Sequence, residues 1–167
     1  VPPTSSSTGG ALRTLLSEVF YGGLKPSWFL NPGDPGLIDL CCDLTADEAS
    51  ARPSLDRQTI AAHVRHLVYH LQLIARTLGG DETAFETADW SDAWKHPHVD
   101  EAEWSRLRTE LAQLAEEWIN SSPFVPLENP IALTGSLGSA VHFGYHLGAI
   151  RQILLQVRGN STQLSSR

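Results

Sequence analysis

The sequence predicts an all-α protein built as a four-helix bundle, and three observations carry that prediction. Apolar residues recur at three- and four-residue spacing in four segments of comparable length. No run alternates with the period of two that marks a strand, and no internal repeat is visible. Proline- and glycine-rich stretches separate the periodic segments, where connections belong. Stripes of this kind are buried by packing the helices against one another around a shared core.

Residues 1–9, rich in Pro, Ser and Thr, read as a flexible arm, residues 10–158 as one domain and residues 159–167 as a flexible tail. The first helix carries Leu12, Leu15, Leu16, Val19 and Phe20 at helical spacing and stops at Gly22-Gly23. KPSWFLNPGDPG follows as a loop. A short second piece then places Leu37, Ile38, Leu40, Cys41 and Leu44 on one side, so the first layer is a helix interrupted by a loop. Ile60, Val64, Leu67, Leu71 and Ile74 mark a long helix from Asp56 to Leu78, closed by Gly79-Gly80. The connection over 81–99 holds Trp90, Trp94, His96 and His98. A third helix runs from about Asp100 to Asn120 with Trp104, Leu107, Leu111, Leu114 and Trp118 inward. SSPFVPLENP is a further loop. Thr134 reads as the N-cap of a last helix from Gly135 to Val157, ended by Gly159-Asn160.

Composition narrows the function. At 167 residues the chain is long enough for a full core, and 41% hydrophobic with 19% charged residues is ordinary for a globular protein. A net charge of -7 with no Lys/Arg block argues against nucleic acid or an anionic membrane as partner. No apolar run is long enough to span a bilayer, and VPPTSSSTGG lacks the features of a secretory signal. Cys41 and Cys42 are adjacent, without CxxC spacing, and read as reduced thiols, which fits a cytoplasmic location.

The histidines are the functional signal. Five of the seven fall in two helical segments: His63, His66 and His70 in one, His142 and His146 in the other. Random placement of seven histidines gives roughly 0.3 HxxxH pairs in such a chain, whereas His66/His70 and His142/His146 make two. The i, i+4 spacing stacks two imidazoles on one helical face. If these helices are neighbours, three neutral imidazoles can converge on a divalent metal and leave a fourth position open. His63, His66 and His70 share one face, so spacing alone leaves each of them open as the third ligand. No HExxH, GxSxG, P-loop or GxGxxG motif is present.

TIAAHVRHLVYHLQLI, followed by VHFGYHLGAIRQIL and with the ADWSDAW loop between them, resembles the DinB/YfiT-like metalloenzyme superfamily over about Ala11 to Arg158. The resemblance implies a four-helix bundle with a three-histidine site for zinc or nickel, iron being a further option. One ligand of such a site follows a motif like (S/T)IxxxxxHL, which selects His66 from Thr59, Ile60 and Leu67; the HxxxH pair matches His142 and His146. His63 and His70 then stand as second-sphere donors or polar lining. One departure is Ala149, where many members carry Gln; Arg151 or Gln152 could supply the missing polar contact.

The superfamily includes S-transferases using bacillithiol, mycothiol or glutathione, a mycothiol-dependent maleylpyruvate isomerase and parts of ergothioneine-forming enzymes. The leading expectation is therefore a metal-dependent thiol transferase acting on a small electrophile, with a low-molecular-weight thiol as second cofactor. Arg151 is a candidate for orienting a carboxylate. A metal-dependent small-molecule hydrolase is the alternative, with Asp39, Asp43 or Glu128 as base. The third reading is a non-catalytic, stress-related binding bundle, with a homodimer as one arrangement; in it Trp104 and Trp118 are core anchors, while Trp90 and Trp94 line a pocket or interface.

Overall fold

Side-chain caps start the helices that frame the bundle. The computed structural model describes residues 7–165, with side-chain surroundings for 8–159. Thr59 accepts a hydrogen bond from the Ala62 amide and opens the helix Ile60–Leu78; Asp100 accepts from the Glu103 amide and opens Glu101–Ser121. With Ser7–Tyr21 as α1, Leu37–Cys42 as α2 and Ala46–Ser50 as α3, these two are α4 and α5, and Pro130–Ser165 is α6. No strand occurs among the described residues. α1, α4, α5 and α6 are the four long members. α4 packs along α5, α6 lies against α1 and α4, and the short α2 and α3 close the remaining side against α1, α4 and α5.

One apolar core runs through the bundle, contributed by Leu16 and Phe20 of α1, Leu67 and Leu71 of α4, Trp104 and Leu111 of α5, and Phe143 and Ile150 of α6. Trp104 is fully buried and donates its indole N–H to the Leu44 carbonyl at 2.9 Å, so the apolar body and the polar tip are both satisfied. Trp118 is likewise buried, as expected of a core anchor.

Several boundaries differ from the sequence reading, each for a local reason. α1 begins at Ser7, inside the segment read as an arm, where Gly9 lets the helix approach the Ser122–Phe124 turn; a Cβ at Gly9 would lie 2.7 Å from the Pro123 backbone. Residues 1–6 lie outside the described residues. The second short piece is two helices, because Thr45 forms a reciprocal capping box with Glu48 and restarts the chain as α3. α4 starts after Thr59 rather than at Asp56. α6 is longer at both ends than expected. Asn129, not Thr134, caps it, its Oδ1 accepting from the Ile131 and Ala132 amides, with Pro130 in the first helical position. It continues through Gly159-Asn160 to Ser165, since glycine weakens a helix without forbidding it and no proline follows. The residues 159–165 read as tail are thus helical in backbone; 166–167 lie outside the described residues.

The loop between α1 and α2 is pinned from below. Gly22, at φ 97°, turns the chain where a Cβ would collide with the Asp34 carbonyl. Glu18, only 5% exposed, accepts from the Trp28, Phe29 and Leu30 amides at 2.9, 3.1 and 2.7 Å. Burial alone would raise the Glu18 pKa, yet these three amides together hold it below the ordinary value.

Candidate metal centre

α4 and α6 turn their histidine faces toward each other. The i, i+3, i+7 spacing places His63, His66 and His70 along one face of α4, and i, i+4 places His142 and His146 on the opposing face of α6. The five rings mesh. His66 Nε2 lies 3.0 Å from His142 Nε2, and His63 Nδ1 lies 2.8 Å from His146 Nδ1. His70 Nε2 meets the Ser139 hydroxyl at 3.0 Å, and its ring stacks on that of His142 with centroids 4.7 Å apart. His66, His142 and His146 can each present a ring nitrogen such that all three lie within 4.8 Å of one another.

The donor set suits a divalent ion. Two imidazole nitrogens bound tetrahedrally at 2.0–2.1 Å stand about 3.3 Å apart, so the 3.0 Å approach of His66 to His142 needs little opening. With Nδ1 of His146 engaged by His63, Nε2 is the nitrogen left to that ring. His66 Nδ1 and His70 Nδ1 are buried and have no hydrogen-bond partner, an unusual density of unmet polar atoms for one small region. Three close histidines of this kind can bind a metal ion.

Electrostatics keep the rings in the ligand state. Burial pushes His63 down to about 4. Burial again, then the neighbouring His142 and His63, lowers His66 to about 4. His70 falls to about 3 through burial and then His142 and His66. His146 also falls to about 3, from burial first and then the other four imidazoles, and burial lowers His142. All five are therefore neutral near pH 7, the protonation state a metal-binding imidazole needs.

Two tryptophans roof the cluster. Trp94, from the turn Asp92–Lys95, stacks on His66 with centroids 4.8 Å apart and planes at 28°, and Trp90 leans over His66 and His70 at 5.5 and 5.6 Å. Thr59 ties this connection down, donating its hydroxyl to the Pro97 carbonyl at 2.6 Å while it caps α4. One residue thus sets both the register of the α4 histidines and the seat of the roof.

The sequence profile of the DinB superfamily matches residues 37–146, more than half the chain and inclusive of both histidine faces. The chain belongs to the DinB superfamily. No curated protein and no solved structure matches it. For this DinB-superfamily chain, membership and the three-histidine cluster fit a metal-dependent protein. No helix among the described residues is long and apolar enough to cross a membrane.

Other residues singled out in the sequence stand elsewhere. Arg151 pairs with Asp34 Oδ2 at 3.3 Å and donates to the Pro35 carbonyl at 2.5 Å, which fastens the α1–α2 loop to α6 and takes the guanidinium away from substrate duty. Gln152 is exposed, and Ala149 is half-buried. Asp39, Asp43 and Glu128 are exposed, and no carboxylate among the described residues hydrogen-bonds to a histidine. His96 and His98 are exposed outside the cluster. Cys41 is buried with its thiol pushed up to about 12, by burial and then Cys42, and Cys42 is exposed; both are free thiols. Ser139 was missed, because a serine at i-3 from a histidine carries no signal until the facing helix supplies His70.

Proposed function

We propose that this chain is a metal-dependent enzyme in which His66, His142 and His146 hold zinc or nickel and leave one position open for a small-molecule thiol. The bound ion would supply Lewis acidity, favouring thiolate over thiol near neutral pH. The observation that carries the reading is the set of three converging, neutral imidazoles, His66 and His146 buried and His142 half-buried, with no carboxylate among them. His63 orients His146 through the Nδ1 contact, and Ser139 holds His70 against the ring of His142. Trp90 and Trp94 keep water off the faces of His66 and His70 and offer an apolar wall to an electrophile. With Asp39, Asp43 and Glu128 exposed, none of them supports the hydrolytic alternative as a site base.

Plasma mass spectrometry of tag-free protein tests the metal. Near-stoichiometric zinc or nickel, lost in His66→Ala and in His142→Ala/His146→Ala while far-UV circular dichroism persists, is the expected result. Metal content unaffected by these substitutions removes the site. The loaded protein is then assayed with bacillithiol, mycothiol and glutathione against a chromogenic electrophile. Turnover that needs both metal and one thiol supports the transferase reading; turnover indifferent to thiol sinks it.

A further inference from the structure

The chain has to travel the length of α4 twice. Arg65 Nη2 reaches Glu103 Oε1 at 2.7 Å and Gln72 Nε2 reaches Glu110 Oε1 at 2.6 Å, so α4 and α5 run in the same direction. A helix of 19 residues is about 28 Å long at 1.5 Å per residue, and residues 81–99 return over that distance before α5 begins. They return across the histidine face. Phe85 meets His70, Trp90 meets His70 and His66, Trp94 meets His66 and His63, and the Pro97 carbonyl ends at Thr59. The roof over the cluster is thus one strap laid along α4 from its last turn to its first.

The strap is braced within itself and lightly fastened to what lies beneath it. Asp89 accepts from the Ser91 amide and hydroxyl at 2.9 and 2.6 Å, and Lys95 stands 3.7 Å from Asp89 and 3.6 Å from Asp92. Among the described residues, one hydrogen bond joins 82–96 to the helices: the Asp89 amide donates to the Tyr69 hydroxyl at 3.0 Å. Only Ala84 and Ala93, with small apolar side chains, are buried along 81–99. At the α4 end the strap leaves through Gly80, at φ 98°, where a Cβ would meet nothing within 4 Å. At the α5 end Thr59 holds Pro97 and Ser50 holds Val99. Fixed ends, little buried apolar surface and a middle held by one bond mark a segment that opens locally.

We infer that residues 81–97 form a hinged strap that opens and closes the histidine cluster, with Tyr69 as its latch. Tyr69 holds the strap by two means. Its hydroxyl takes the Asp89 amide, and its ring meets that of Trp90 edge-on, with centroids 5.7 Å apart. In the closed state Trp94 covers His66 and lies 6.2 Å from the His146 ring with planes at 26°, and both histidines are buried. Lifting the strap turns those rings to solvent. Tyr69 is a positioning residue that acts through Trp90. What the strap admits rests on the proposed function; that it opens does not.

Diethyl pyrocarbonate, which carbethoxylates neutral imidazoles, tests the opening without any metal. Labelling of the full chain is followed residue by residue by tandem mass spectrometry, with the exposed His98, beyond the strap, as internal reference. In the parent, His66 is expected to label roughly tenfold more slowly than His98. Tyr69→Phe removes only the hydroxyl. It is expected to speed His66 labelling about fivefold, the worth of one ordinary hydrogen bond, while His98 labelling and helicity stay as in the parent. Zinc supplies a second readout. A latch changes how often the closed state opens and not what is bound inside it, so Tyr69→Phe speeds zinc uptake and its loss to chelator by a common factor and leaves Kd unchanged. A parent that takes up no zinc ends the metal reading, and the labelling then decides the strap alone. His66 labelled as fast as His98 in the parent, equal His66 labelling in parent and Tyr69→Phe, or a shifted zinc Kd with an unchanged rate of uptake overturns the inference.

Discussion

His63 shows what a single imidazole can add beside a three-histidine centre. A ring that gives its Nε2 to a metal keeps its proton on Nδ1, and for His146 that proton points at His63 Nδ1, 2.8 Å away. Partners of this kind fix the tautomer and ring angle of a ligand, and their loss costs roughly 10- to 100-fold in metal affinity. His63→Ala is therefore expected to weaken zinc binding at least tenfold in competition with a chromophoric chelator. His63→Asn, whose Oδ1 falls near the position of the ring Nδ1, restores most of it. An alanine variant with parental affinity would refute the role, and an asparagine variant no better than alanine would make His63 a direct ligand instead. The two histidine faces were legible in the sequence because helical periodicity converts spacing into proximity. Which nitrogen meets which was not, since that depends on how α4 and α6 are rotated against each other. Spacing therefore leaves His63 and His70 open, and only the facing rings and Ser139 assign their contacts.

At the scale of elements, local chemistry was readable wherever a cap and its amide lie within one turn. The spacing places the start of α5 at Asp100, where the structure has its cap, but it starts α6 too late, because Asn129-Pro130 reads as loop in the sequence and is a cap and a first helical residue in the structure. Glu18 was invisible for the opposite reason. Its partners are backbone amides ten to twelve residues on, and amides carry no residue signature. Its consequence is measurable. Charged hydrogen bonds are worth about 1.5–3 kcal/mol, so Glu18→Gln is expected to lower unfolding stability in urea by about that much at neutral pH. The folded pKa of Glu18 lies below its ordinary 4.5, so the carboxylate's contribution is full above that value and fades as pH falls through the lower folded value. The gap between parent and variant should therefore close in acid. A gap constant across that range would show that the carboxylate charge is not what pins the loop.

For the whole molecule, the histidine cluster is a staple between helices far apart in sequence. The α4 rings and the α6 rings are separated by 76 residues from His66 to His142, and α4 meets α6 less extensively than it meets α5. An unfolded chain holds no preformed site, so an ion bound at this cluster favours the folded state by mass action, about 2.7 kcal/mol at a free concentration one hundred times its Kd. That four helical layers bury one core was readable from periodicity. That two of them meet at their histidines follows from the family resemblance and not from periodicity, because sequence order does not say which helices become neighbours. Thermal unfolding with zinc, with chelator, and in His142→Ala/His146→Ala measures the clip. Zinc is expected to raise the parent's Tm by several degrees and to leave the double variant unmoved. A parent whose Tm ignores both zinc and chelator would take the ion out of the fold's energetics and leave the contacts among the imidazoles as the only tie between α4 and α6 at this level.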